Sequence, residues 1–362
     1  MLKNSFYKII IIIRSLYSII KCKIQKIVIG NYFIIQYPHN SLDLRSEFIL
    51  NNLNLNKSIN ILRFNEINFK SLLTFLNVPN SVSFSPFEKS DSKNFFQIYV
   101  KYFFKFNKIK KFVMIDDYRV ISEFCRLFKE LKIYSLVYMH GRVPLNRDYL
   151  KNSFDTLLVW SSFFKDILIK NNKKYKDKNI IIIGRDKFKN KNYNFKKSKN
   201  NLMLIDEDFI NYEDIHPYLN YLVKKIKVKI FLKKKISRQL PISYYKFCLK
   251  NNIKIIPTKY NFSKSLKKYK ISKTLAFSST ALLDSIYYKV MPIKIDHKKD
   301  LLKEYKKFKL FFYVYKPADL KKIFNKKNSE VQNILMKNKK KLWSQSNYNN
   351  SKVKKALKLI YN

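Results

Sequence analysis

Three adjacent hydroxyl side chains, Ser278, Ser279 and Thr280, stand between the apolar run Leu275–Phe277 and a short helical pattern carrying Leu282, Leu283 and Ile286 on one face. Side chains of this kind at a helix start accept hydrogen bonds from first-turn N–H groups, and the local dipole favours an anion. The stretch is suited to cradling a small anionic ligand. Asp284 lies about one turn into the same helix, and Pro292 opens the next apolar strand. A second constellation is His140-Gly141, which directly follows the apolar run Ile133–Met139. Open α/β sheets gather ligands at the C-terminal ends of their strands, and glycine lets a backbone approach a ligand closely.

Other groups are weaker. Asp206-Glu207-Asp208 has the D-x-D spacing that can hold a cation and a diphosphate, but its place at the start of a second run of strands reads as an acidic, solvated loop. Asp116-Asp117 closes the strand candidate Lys111–Ile115 and reads the same way. His39, His216 and His297 read as residues of loops or element ends, with His216-Pro217 ahead of a helix. Cys22, Cys125 and Cys248 are odd in number and far apart, which predicts free thiols in a reducing compartment and no structural zinc.

Composition narrows the classes. The 362 residues include three glycines, Gly30, Gly141 and Gly184. Neither a P-loop nor a dinucleotide-binding G-x-G-x-x-G can be built from them, which excludes the common ATPases, GTPases, kinases and dehydrogenases. The formal charge is +50, from 75 Lys+Arg against 25 Asp+Glu. These residues are overwhelmingly lysine, spread from end to end among Asn, Ile, Phe and Tyr, as an A+T-rich coding bias would produce. No zinc spacing, aromatic RNA-binding motif or arginine-rich arm accompanies them, so no specific nucleic-acid partner is expected. Attraction to an anionic membrane or polymer uses the charge better.

The elements that must carry these residues alternate between strand and helix patterns. Residues 30–37, 59–64, 82–84, 112–115, 133–139 and 157–160 read as strands, with a helix over 120–131, another over 162–170, and the run 180–183 ending at Gly184. The polar stretch 187–200 reads as a linker. Residues 201–205, 227–232, 253–256, 274–277, 291–295 and 311–315 then supply a second sheet. This is an α/β chain with mostly parallel sheets. It divides into a first domain at 1–186, a second at 201–343, and a polar tail at 344–362 whose last helix, over 353–360, returns to the first domain. Residues 2–24 mix an isoleucine-rich face with Lys3, Lys8, Arg14, Lys21 and Lys23. They read either as a basic amphipathic helix at a membrane interface or as a helix docked on the first domain.

The segment Ser279, Thr280, Ala281, Leu282 and Asp284 resembles the donor-nucleotide site of two-domain (GT-B) glycosyltransferases. The order strand, His140-Gly141, then Asp155–Trp160, helix and Ile181–Gly184 resembles bacterial capsule and surface polysaccharide transferases of the CDP-glycerol glycerophosphotransferase or polysialyltransferase type. The resemblance spans roughly residues 112–320. It implies two Rossmann-like domains facing across a cleft and a metal-independent glycosyltransferase of cell-envelope polysaccharide synthesis. Such an enzyme is cytoplasmic, in peripheral contact with the inner face of the membrane. It implies no cofactor, a nucleotide-sugar or nucleotide-polyol donor as substrate, and a glycan or lipid-linked acceptor. His140, with Gly141, would take the acceptor's proton. Ser278, Ser279, Thr280, Asp284 and Gly184 would hold the donor, and Arg142 and Asp117 would touch the acceptor. Those families carry K-x-H-P after a strand of the second domain. Here Lys229–Lys235 reads KIFLKKK, and Lys233 or Lys235 would neutralise the leaving phosphate. Two other readings stay open: a nucleotide-sugar epimerase of the same architecture, and a non-catalytic scaffold or basic nucleic-acid-binding protein.

Overall fold

The computed structural model describes residues 32–36, 38–39, 41–42, 58–63, 81–84, 110–114, 129–139, 154–185, 195–207, 210–235, 239–298, 302–347 and 349–361. The proposed helix over 2–24, most of that over 120–131, His140, Gly141, Arg142, Asp116, Asp117, Cys22 and Cys125 lie outside them. The chain forms two compact units, residues 1–189 with 345–362 and residues 190–344.

In the first unit, strands β1 (Tyr32–Gln36), β4 (Ser58–Arg63), β5 (Ser81–Phe84), β6 (Lys111–Met114), β7 (Tyr134–Tyr138), β8 (Thr156–Val159) and β9 (Ile180–Ile182) make one parallel sheet; β2 (Pro38–His39) and β3 (Ser41–Leu42) pair antiparallel as a separate two-stranded sheet. The sheet order is β5-β4-β1-β6-β7-β8-β9. Counted along the chain this is 3-2-1-4-5-6-7, the doubly wound order, which reverses between β1 and β6. Leu157, Leu158 and Val159 are fully buried, as a strand covered on both faces requires. Helix α1 (Ser162–Asn171) buries Phe163, Phe164, Ile167 and Leu168 along one side. At the strand ends, Trp160 Nε1 donates to the Tyr138 hydroxyl at 2.8 Å, and the Arg185 guanidinium lies 3.9 Å from the centre of the Trp160 ring. Between them Gly184 takes φ 79°, a region glycine enters without a Cβ clash. The Arg185 N–H donates to the Ser346 carbonyl and the Asn349 N–H to that of Ile183, which seats the C-terminal helix with this unit.

In the second unit, β10 (Asn201–Ile205), β11 (Lys229–Lys233), β12 (Lys254–Ile255), β13 (Lys273–Ala276), β14 (Met291–Ile295) and β15 (Phe312–Val314) form a parallel sheet ordered β12-β11-β10-β13-β14-β15. Counted along the chain it reads 3-2-1-4-5-6, reversing between β10 and β13. Alternate residues Leu202, Leu204, Ile230, Leu232, Leu275, Phe277, Ile293 and Ile295 face one core. Helices α2 (Tyr212–Tyr221), α3 (Ile242–Lys250), α6 (Asp319–Phe324) and the start of α7 (Asn328–Trp343) cover that core with Ile215, Leu219, Tyr244, Cys248, Leu320, Ile323, Val331 and Leu335. Helix α4 (Phe262–Lys268) precedes β13, and α5 (Ala281–Tyr287) follows it. The Thr274 hydroxyl, which belongs to the opposite face of β13, bonds Ser285 of α5 at 2.8 Å. Helix α8 (Asn350–Tyr361), which belongs to the first unit, buries Val353, Ala356 and Leu357 at i, i+3 and i+4. Cys248 is a buried free thiol, pushed up to about 11 by burial and then by Asp206.

Helix-to-strand connections repeat one device. Lys132, Lys227, Asn252, Lys270, Lys289 and Lys309 take φ of 48–57° immediately after a helical end, and the residue after each is Ile, Val or Leu on the way into a strand. Asn252, Lys270 and Lys289 donate to carbonyls three residues back, and Ile253, Ile271 and Val290 donate to Cys248, Leu266 and Ser285 five back. That pair of bonds is the Schellman helix ending, whose left-handed residue is usually glycine.

Strand positions read from sequence agree with those observed to within about two residues, the scatter normal for element ends. His216-Pro217 corrects the reading, because it lies inside α2 and not ahead of a helix. The His216 ring packs between Tyr212 and Phe247 as part of an aromatic cluster. Residues 195–200 are not a free linker: the Lys197 ammonium donates to the Lys289 carbonyl at 2.7 Å, and the Ser198 N–H to that of Lys270.

Candidate functional site

The second sheet's order fixes where a ligand would sit. Where a doubly wound sheet reverses, the loops after the two neighbouring strands diverge and leave a crevice at their C-terminal ends. Here those strands are β10 and β13. Leu204 is level with Leu275, and Ile205 is level with Lys233, so the residues after β10, β11 and β13 share one edge. Glu207 stands two residues beyond β10, and Ser278 two beyond β13.

Glu207 spans that crevice. Its Oε2 accepts the Phe277 N–H at 3.2 Å, and Oε1 and Oε2 accept the Ser278 N–H at 3.0 and 3.1 Å. The side chain is buried, and burial pushes its pKa up from 4.5 to about 7. The N–H groups of Ser278 and Phe277, the charge of Lys294 and the Ser279 N–H oppose that rise. Lys294, in the middle of β14, is fully buried. Asp206 is also buried, which overturns the expectation of a solvated acidic loop for this residue and for Glu207. Asp208 lies outside the described residues.

The hydroxyl cluster is built differently from expectation. Thr280 is the residue at the start of α5, yet its side chain makes no capping bond. Ser279 supplies the cap instead, its Oγ accepting the Ala281 N–H at 3.2 Å. The N–H groups of Phe277 and Ser278 are not open to an outside anion while Glu207 holds them. Ser278 Oγ is buried without a hydrogen-bond partner, whereas Ser279 and Thr280 are half-buried and reachable. Asp284 is buried within α5. Lys233 ends β11, and its ammonium donates to the Tyr260 carbonyl at 2.5 Å; burial lowers its pKa. Lys235 is exposed. The structure thus brings Ser278, Ser279, Thr280, Lys233 and Glu207 to one edge. Gly184 belongs to the first unit, at the end of β9.

Two further groups reach this edge without having stood out in the sequence. His297 lies two residues beyond β14; its Nε2 is 3.5 Å from Asp214 Oδ1, and its ring meets Phe277 edge-on at 5.2 Å. Asp214 sits in the first turn of α2, where its Oδ2 also accepts the Asn211 N–H. The signal available was positional: Glu207, Ser278 and His297 each stand two residues past a strand end. Among the described residues, no group of three or more His, Cys, Asp and Glu side chains is placed to hold a metal ion. No described helix is long and apolar enough to cross a membrane.

No family model matches the chain, and no curated protein matches it in sequence. Solved structures do match in fold. The UDP-GlcNAc 2-epimerase from Methanocaldococcus jannaschii is similar over 91% of this chain and 99% of its own, with TM-score 0.53 and 14% identity. A UDP-glucosyltransferase from Polygonum tinctorium is similar over 92% and 99%, with TM-score 0.56 and 6% identity. MurG from Acinetobacter baumannii is similar over 91% and 98%, with TM-score 0.52 and 9% identity. Two doubly wound parallel sheets in one chain, matched over 91–92% of its length by these proteins, establish that this protein has the GT-B fold found in glycosyltransferases and nucleotide-sugar epimerases.

Proposed function

We propose that the chain is a metal-independent glycosyltransferase, or polyol-phosphate transferase, that binds a nucleotide-activated donor on its second domain and acts in surface polysaccharide or glycoconjugate synthesis. The observation that carries this reading is the hydroxyl cluster at the point where the second sheet reverses, with Ser279 and Thr280 reachable in front of the buried, unpartnered Ser278 hydroxyl. A buried hydroxyl with no acceptor or donor costs about 1–3 kcal/mol, a cost that a bound polar group or an ordered water would relieve. Structures of similar fold include one bound to UDP-GlcNAc and UDP and one bound to UDP and glucose, which supports a nucleotide-sugar donor.

Because Glu207 holds the turn's N–H groups, the donor is assigned to the hydroxyls of Ser279 and Thr280, with Ser278 and Asp284 behind them. Lys233 and Lys235 neutralise the leaving phosphate, so that charge stabilisation comes from the chain itself. His140 takes the acceptor hydroxyl's proton, with Gly141, Arg142 and Asp117 beside the acceptor, a glycan or a lipid-linked glycan.

A thermal-shift screen of UDP, CDP, CMP, GDP and their sugar conjugates tests the donor assignment. One nucleotide should stabilise the protein, by about 2.7 kcal/mol at a hundredfold excess over Kd. Ser279→Ala with Thr280→Ala should remove that shift. The variant's own baseline falls by about 1 kcal/mol through the lost cap, so each shift is read against its own unliganded state. A folded double variant that gains as much from the nucleotide as the parent does would place the donor elsewhere. Product analysis with and without acceptor separates transfer from epimerisation, since an epimerase converts the donor alone.

A further inference from the structure

We infer that helix α3 (Ile242–Lys250) is a docking face for an anionic lipid surface. The described residues leave six large apolar side chains well exposed, and three of them, Ile242 at 75%, Tyr245 at 48% and Leu249 at 61%, sit on this one nine-residue helix. Their spacing of three and then four places them in a single stripe. Tyr244 and Cys248 lie on another side of the helix and are buried in the core, so the stripe is the helix's outward face. The helix is apolar on both sides, and its outer side faces solvent.

The choice of occupant follows from charge. The helix has no acidic residue, and Lys246 and Lys250, both exposed, border the stripe along one flank. The whole chain carries +50. An apolar stripe with a lysine rail fits the boundary of an anionic bilayer, where Ile242 and Leu249 reach the acyl region, Tyr245 sits at headgroup depth, and the lysine stems lie on apolar surface with ammonium groups at phosphates. A second protein would need an acidic partner face to tolerate the same lysines, and the excess of 75 Lys+Arg over 25 Asp+Glu disfavours a second copy of this chain in that role. The inference stands on α3 alone and does not depend on the donor assignment.

The test uses the full chain and sedimentation with vesicles of phosphatidylcholine alone or mixed with phosphatidylglycerol. A chain of this charge binds anionic vesicles through diffuse attraction at low salt, so the decisive arm is about 0.5 M salt, where the screening length falls below about 5 Å. The parent should stay bound to anionic vesicles there. Ile242→Ser with Leu249→Ser should lose about tenfold or more in partitioning, and Lys246→Gln with Lys250→Gln about fivefold per lysine at low salt. Lys337→Gln with Lys340→Gln, on α7, should bind as the parent does. These positions are exposed, so unfolding midpoints should not move. Independently, the tryptophan of Tyr245→Trp should shift to the blue on vesicle addition and be quenched by brominated lipid. Equal retention of parent and Ile242→Ser/Leu249→Ser at high salt, an unshifted emission from Tyr245→Trp, or a dimer in solution abolished by the same pair would each overturn the inference.

Discussion

Between pH 4.5 and pH 8.5 the parent is expected to lose about 3 kcal/mol of stability that Glu207→Gln does not lose. An acid whose pKa rises from 4.5 to about 7 on folding holds its proton more tightly in the native state across that interval. The native state then binds more protons than the unfolded one, and stability falls as pH rises. The contribution is whole below 4.5 and gone once the pH has passed about 7, at about 1.36 kcal/mol per pKa unit. Glutamine keeps an oxygen for the Ser278 and Phe277 N–H groups and has nothing to ionise. Urea unfolding of both forms across the range measures the difference, and parallel curves would show that Glu207 is ionised throughout. Glu207→Ala should cost about 3–5 kcal/mol at neutral pH, because it strands two buried N–H groups and removes the carboxylate that faces the buried charge of Lys294.

His140→Ala is expected to lower transfer by about 10² to 10⁴ while the nucleotide-induced thermal shift persists, as loss of a general base does. In sequence His140 comes two residues after β7, which ends at Tyr138, the spacing that Glu207, Ser278 and His297 have from the ends of β10, β13 and β14. The two halves of the result are read separately. Lost transfer with intact binding assigns the residue to chemistry, and full transfer would make it a packed strand-end residue.

Much of the fold was legible because a buried parallel strand writes itself as an apolar run. NLMLI lies between Asn200 and Asp206 and MPIKI ends at Asp296, and the observed strands β10 and β14 match those runs residue for residue. Strand order was not legible, since the run of β10 says nothing about whether β11 or β13 will flank it. For that reason the hydroxyls at 278–280 were visible as chemistry while Glu207 was not. Ser-Ser-Thr announces itself before a helix, whereas an acid in Asp206-Glu207-Asp208 looks solvated until the reversal of the sheet sets it against the Ser278 N–H. Lys294 was hidden for a similar reason: one lysine among 75 Lys+Arg carries no sign that it is fully buried. That Glu207 already takes the Phe277 and Ser278 N–H groups ahead of α5 is likewise a matter of side-chain direction, which residue type does not determine.

The left-handed lysines at helix ends connect coding composition to thermodynamics. A non-glycine residue in that region carries a strain of roughly 1–2 kcal/mol, and Lys227, Lys270, Lys289 and Lys309 each carry it in the second domain. A genome that supplies AAA freely and GGN sparingly would leave such a protein with several correctable defects in series, none of which shows as a steric clash between side chains. Lys→Gly at these four positions should raise thermal stability by up to about 1 kcal/mol apiece, after the greater freedom glycine gives the unfolded chain is set against the relief. The sites are far apart in sequence and end separate helices, so their gains should add, and the fold would tolerate more mutational drift at its active edge than its present sequence suggests.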